Sequence, residues 1–250
     1  MKLSEVLELN PRPRVTVEKV GRGNHRVVLV DGFYKNPEQV VELSESLCYI
    51  SGATGSFPGK RAIICLDTRP LIDAMSELWG SRLEPSEVYQ PVVFSAMMTG
   101  GRLTNAQRQP HLDPGVTGLV YLNSDQHSSG GTALYRHRLS GLEWIPEKAN
   151  GTMVELAQRL DINPEILKAP QGYTAFLDNI IFNPQFAAAG NDYINDGNDF
   201  WEKLSLVEMK FNRLAILDGR MPHSQYVKQG QFTDHARLTQ TIYLRPANAR

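Results

Sequence analysis

Cysteine is scarce in this chain. Only Cys48 and Cys65 occur in 250 residues, neither in a CxxC or Cys/His spacing, so the sequence offers no disulfide framework and no zinc-ribbon pattern, and it suits a reducing compartment. An excess of charge of either sign is also missing. Lys plus Arg number 26 against 27 Asp plus Glu, a formal net charge of −1. Without a global basic field, neither nucleic acid nor a membrane surface is an expected partner. No stretch approaches the roughly 18 apolar residues of a membrane span, and MKLSEVLELNPRPR lacks the apolar centre of a signal peptide. The expected location is therefore cytoplasmic. Internal repeats, low-complexity tracts and linkers are absent too, which leads to a single domain over residues 1–250.

What is present is a hydrophobic share of 41%, enough for a sizeable core, punctuated by 20 Gly and 15 Pro. The β-branched runs RVTVEKV (14–20) and RVVLVD (26–31), separated by GRGNH, read as two strands and a tight connection. NPEQVVELSESLC predicts a helix over about 37–47, with Asn36 as cap and Pro37 in the first turn. PLIDAMSELW (70–79) sets Leu71, Ile72, Met75, Leu78 and Trp79 on one stripe ahead of a Gly80 stop, a second helix. From residue 91 the pattern turns to strands: PVVFSAMM, VTGLVYLN (116–123) and GGTALYRHR (130–138). GTMVELAQRL (151–160) reads as a helix with a Thr152/Glu155 capping box, and a short helix restarts at Pro164. Strand character returns over 206–218 and in RLTQTIYL (237–244). The predicted core thus covers 14–138 and 206–244, interrupted by a partly helical insertion at 139–205.

Candidate chemistry begins at His111 and Asp113 in QPHLDPG. A spacing of two in extended structure puts an imidazole and a carboxylate on one face, where both reach one ion, although a surface loop explains the pair equally simply. His223 in GRMPHSQ, after the strand RLAILD, completes a two-histidine, one-carboxylate set, the donor types of a facial triad for non-haem Fe(II). Arg237, opening the last strand, offers a planar, permanently charged fork for a carboxylate, against the plain alternative of an exposed edge arginine. His235 is a substitute for His223, and His25 and His127 sit in turns where a solvated imidazole is expected. Arg136, His137 and Arg138 read as a solvated strand end. Gly130 and Gly131 read as turn and close-approach residues, since no helix follows them. NDYINDGNDFWEKL carries apolar residues expected to be exposed as a lid or a dimer contact, so a homodimer is one expectation.

Taken in order, HLD (111–113), GLVYLN (118–123), GGTALY (130–135), KFNRLAILDGRMPHS (210–224) and RLTQTIYL (237–244) resemble the 2-oxoglutarate and Fe(II)-dependent dioxygenases, in particular the prolyl-hydroxylase-like branch and a bacterial subgroup carrying GGTALYRHR. VVLVDGFYKNPEQVVEL (27–43) is similar to that branch's entry strand and first helix. The resemblance implies a mainly β fold with flanking helices, a double-stranded β-helix of the jelly-roll, cupin-like kind. It implies Fe(II) held by His111, Asp113 and His223, with 2-oxoglutarate and O2 as cosubstrates. Arg237 would pair with the far carboxylate of 2-oxoglutarate and Tyr121 would donate a phenolic hydrogen bond to it, unless Tyr121 is simply a packed aromatic. Arg213 or Arg220 would replace Arg237 in a shifted register.

The expected function is an oxygenase hydroxylating a small-molecule or peptidyl substrate, with residues 139–205 either covering the barrel mouth or packing outside it. Two other classes fit the same residues: a non-catalytic jelly-roll binding module, and a zinc-dependent hydrolase using the same three ligands plus water.

Overall fold

The computed structural model describes residues 3–51, 58–64, 67–190 and 192–247. Cys65 lies outside the described residues. In chain order the elements are α1 (Leu3–Val6), β1 (Arg14–Val20), β2 (His25–Asp31), α2 (Pro37–Ser46), β3 (Ile50–Ser51), β4 (Lys60–Ala62), α3 (Arg69–Trp79), β5 (Leu83–Pro85), β6 (Val92–Met97), β7 (Val116–Tyr121), β8 (Gly131–His137), α4 (Gly151–Arg159), α5 (Pro170–Phe176), β9 (Trp201–Glu208), β10 (Arg213–Asp218), β11 (His223–Tyr226) and β12 (Arg237–Pro246).

The fold is mainly β, with all described strand pairs antiparallel. A nine-stranded sheet runs β1-β2-β10-β7-β12-β6-β4-β3, with β5 also on β12, and a three-stranded sheet runs β11-β8-β9. Strand alternation sorts the apolar side chains into layers. Val28 and Val30 of β2, Val120 of β7 and Leu214 and Ile216 of β10 face the same cluster as Val40 of α2 and Leu71 and Met75 of α3. Their neighbours Val27, Leu29, Tyr121, Ala215 and Leu217 point the other way, onto Leu134 of β8 and Val207 of β9, and fill the space between the sheets. The far face of the small sheet, through Ala133, Tyr135 and Trp201, packs on Met153, Leu156 and Ala157 of α4 and Tyr173 and Phe176 of α5. β1 closes one edge with exposed residues that include Arg14, Glu18 and Lys19, charges that discourage further strand pairing. No helix among the described residues is long and apolar enough to cross a membrane.

Helices α2 and α3 lie close to their predicted ranges, but Asn36 makes no side-chain cap bond. Helix α4 is capped two residues earlier than the Thr152/Glu155 box implies: the Asn150 side chain accepts from the Met153 amide. The run 206–218 is two strands rather than one. β9 starts at Trp201, five residues before the predicted strand, and a turn through Asn212, at φ 58°, separates it from β10. The apolar pattern runs on through Met209 and Phe211 and hides that turn.

The insertion chiefly packs outside, on the far face of the small sheet. Tyr193, Ile194 and Trp201 of NDYINDGNDFWEKL are buried, not displayed as a lid or contact face. Of the expected solvated end at 136–138, only Arg138 is exposed. His137 is fully buried, and Arg136 is buried in ion pairs with Glu143 and Glu202. Glu143 also accepts from the amides of Arg22 and Gly23 at 3.0 Å, tying the insertion to the β1-β2 turn, and lies 3.6 Å from His25.

Candidate metal centre

His111 and His223 face each other across an isolated antiparallel bridge, each amide donating to the other's carbonyl at 2.9 and 3.0 Å. Residues paired in this way project to one side, and the imidazole centroids lie 4.5 Å apart. Asp113 returns to the same face two residues after His111. Its amide donates to the Gly219 carbonyl at 2.8 Å, and the Gly219 amide donates to Gly115 at 2.7 Å. One donor atom from each of His111, Asp113 and His223 then lies within 4.8 Å of the others, a group able to hold a metal ion.

The hydrogen bonds around this group suit a cation. His223 Nδ1 lies 2.7 Å from the Met221 carbonyl, which can only accept, so Nδ1 carries the proton and Nε2 is turned toward Asp113 Oδ2 at 3.3 Å. A metal-binding histidine is oriented in this way by a backbone acceptor behind it. Asp113 is 4% exposed; Thr117 donates to its Oδ2 at 3.3 Å, while its Oδ1 is buried with no hydrogen-bond partner among the described residues. A carboxylate oxygen left in that condition costs roughly 1–3 kcal/mol or more, which a bound cation offsets.

Burial, reinforced by the neighbouring His223, depresses the His111 pKa to about 3, so this ring is neutral. Burial opposes charge on His223 as well, but the hydrogen bond and attraction from Asp113 outweigh it and hold its pKa above the ordinary value. Burial likewise acts to raise Asp113, and contact with His223 reverses the sign. Between the lowered Asp113 value and the raised His223 value the metal-free group thus holds one proton at the Nε2–Oδ2 contact. Its contribution to stability fades as pH rises through the raised His223 value, and again as pH falls through the lowered Asp113 value. Metal binding must displace that proton. Calorimetry in buffers of different ionisation enthalpy is expected to show about one proton released per ion below the His223 pKa, falling toward none above it; release of two would contradict a neutral His111.

The same cavity, of about 70 Å³, is lined by Arg237, Thr132, Thr239, Gln225 and Arg61 besides the three ligand residues. Arg237 is 4% exposed and no carboxylate among the described residues lies within ion-pair distance of it. Its Nη2 donates weakly to the Gly131 carbonyl at 3.4 Å, its Nε has no partner among the described residues, and its guanidinium lies 5.6 Å from the centroid of the Tyr121 ring. A buried guanidinium without an anion is costly, and a site that accepts an anion explains it. Tyr121 lies beside Arg237, but its hydroxyl donates to Thr132 Oγ1 at 2.8 Å. Thr132, rather than Tyr121, borders the cavity.

The other candidates lie elsewhere. Arg213 is paired with Asp31 at 2.6 Å, and Arg220 donates to the carbonyls of Ile145 and Pro146 at 2.6 Å. His235 lies 2.7 Å from Asp234 and packs its ring at a tilt against His127, outside the cavity. Gly131 lies at φ 148°, and a Cβ there would collide with the Val207 carbonyl, in keeping with a close-approach glycine.

Arg61, Thr132 and Thr239 were not signalled by the sequence. Thr132 and Thr239 read as ordinary β-formers, and the three-residue β4 that carries Arg61 is too short to show periodicity.

Gly219 is a positioning residue for Asp113. A Cβ there would lie 2.9 Å from the Asp113 Cβ and still closer to its carbonyl. Gly219→Ala is expected to weaken metal binding by roughly 10-fold to 100-fold, the scale of a lost supporting contact. It should destabilise the fold by about 1–3 kcal/mol through overpacking. Metal titration and thermal unfolding check both; unchanged metal affinity would contradict the role.

Fold and cavity together give a β-rich protein in which two histidines and a carboxylate able to hold a metal ion share one cavity with a buried arginine. Residues 11–176 match the Family of unknown function (DUF6445), and the chain belongs to that family. The matched span contains His111, Asp113, Tyr121 and Thr132 and ends before His223 and Arg237. No curated protein matches the chain.

Proposed function

We propose that this chain is an Fe(II)- and 2-oxoglutarate-dependent oxygenase, on a double-stranded β-helix, that hydroxylates a small-molecule or peptidyl substrate. The observation that carries the proposal is the unpaired, buried Arg237 opening onto the same cavity as the His111, Asp113 and His223 donors. A metal alone calls for no such arginine, whereas a chelating dicarboxylate needs a cation for its far end. Strand order supports the fold. β6, β12, β7 and β10 are neighbours in the large sheet, and the His111 bridge continues the row β11-β8-β9 in the small one, two antiparallel four-membered rows as in a jelly roll.

When bound, Fe(II) with 2-oxoglutarate supplies the oxidising power: O2 is consumed, one oxygen atom enters a substrate C–H bond, and the other ends in succinate as CO2 leaves. The chain's own residues do the rest. His111, Asp113 and His223 would hold the ion through three donors, leaving positions for the cosubstrates. Arg237 would hold the far carboxylate, with the Thr132 hydroxyl, itself fixed by Tyr121, beside it. Leu119, Leu217 and Met97 line the same cavity and limit water there.

Incubation with Fe(II), 2-oxoglutarate and O2 is expected to yield succinate, with none when O2 is withheld or when His223 is replaced. Failure of the wild-type protein to form succinate alongside tight 2-oxoglutarate binding would favour a binding module. Metal-dependent hydrolysis without 2-oxoglutarate would favour a zinc hydrolase.

A further inference from the structure

Two cations border the cavity, and only one is needed for 2-oxoglutarate. Arg61 enters through β4, whose pairing places Arg61 opposite Ser95 of β6, and Ser95 opposite Thr239 of β12, a row of three residues that all line the cavity. The Arg61 guanidinium hydrogen-bonds with the Tyr243 side chain, and its charge acts on His111 and Tyr89. Arg237 acts instead on Tyr121 and Tyr193. The two arginines therefore have different neighbours.

Charge balance then bears on what else enters. Among the described residues that line the cavity, Asp113 is the only carboxylate. With a divalent ion, Asp113, both arginines and a 2-oxoglutarate dianion in place, and both histidines neutral, one positive charge is left over in a site of low dielectric. Beyond Pro58, which lines both, a second cavity of about 550 Å³ adds Lys60 and Arg102, with no carboxylate among its described lining residues. Glu87, in an outer hollow that Arg61 also borders, is paired with Arg245 at 2.9 Å.

We infer that the substrate to be oxidised is a carboxylic acid whose carboxylate is bound by Arg61, its remaining body extending past Pro58 into the larger cavity. This rests on the proposed oxygenase activity and names the substrate class of that site. The planar guanidinium suits a carboxylate through paired hydrogen bonds.

Calorimetric titration tests it. The probes are hexanoate, N-acetyl-L-leucine and N-acetyl-L-phenylalanine, each beside its primary amide, added to protein loaded with Mn(II) and 2-oxoglutarate and, separately, to metal-free protein. At least one acid is expected to bind roughly tenfold or more tightly than its amide, the scale of a charge-assisted contact. Arg61→Gln should erase that preference while the protein still binds 2-oxoglutarate, and Arg61→Lys should restore part of it. Amides binding as well as acids, no acid binding at all, or an acid preference that survives in Arg61→Gln would overturn the inference, the first two without any variant. Wild-type protein that binds an acid through Arg61 but does not take up 2-oxoglutarate with Mn(II) would instead defeat the oxygenase proposal alone.

Discussion

Replacing His223 with alanine is expected to lower divalent-metal affinity by on the order of 1,000-fold or more, beyond the roughly 10-fold to 100-fold of losing a supporting contact. The imidazole is one of only three donors, and its Nε2 is already turned to Asp113 by the Met221 carbonyl. The same change removes the partner that keeps Asp113 ionised in the interior. Breaking a buried pair from one side costs about 3–5 kcal/mol, so the metal-free variant should also unfold at a lower temperature. Chelator competition reads the first effect and thermal unfolding the second. Full metal affinity in His223→Ala would show that the three residues do not act as one site.

Arg237→Met is expected to separate stability from function. No carboxylate among the described residues pairs with the buried guanidinium, so a methionine of similar length should stabilise the fold by about 1–3 kcal/mol. Affinity for 2-oxoglutarate should fall with the loss of a charge-assisted pair worth about 2–5 kcal/mol, roughly 30-fold to 5,000-fold. Metal affinity should hold, because Arg237 is not among the donors. Thermal unfolding without ligands and calorimetry with 2-oxoglutarate measure the two effects. A destabilised variant with unchanged 2-oxoglutarate binding would make Arg237 a structural residue.

Much of the strand framework was legible in the sequence because its period-2 patterns are strong. RVTVEKV gives β1 over Arg14–Val20, and RLTQTIYL opens β12 at Arg237. Donor types and order were legible for the candidate metal group, since His-x-Asp in extended structure puts both side chains on one face and His223 follows a clear strand. The His111–His223 bridge was not legible, for cross-strand pairing between residues 112 apart leaves no local trace. The turn at Asn212 was masked by a continuous apolar run, and the burial of Arg136 and His137 depends on Glu143 and the insertion folding back over them. Tyr121 lies beside Arg237, but the commitment of its hydroxyl to Thr132 depends on a cross-sheet contact that leaves no local trace.

One cavity is proposed to hold a metal ion and 2-oxoglutarate together. Anaerobic titration of the protein with Fe(II), followed by 2-oxoglutarate, reads this joint binding through the visible absorption spectrum. A metal-to-ligand charge-transfer band is expected that appears only when both are present, saturates at one equivalent of each, and is lost in His223→Ala. A colourless solution at saturating Fe(II) and 2-oxoglutarate, or a band indifferent to His223, would contradict it.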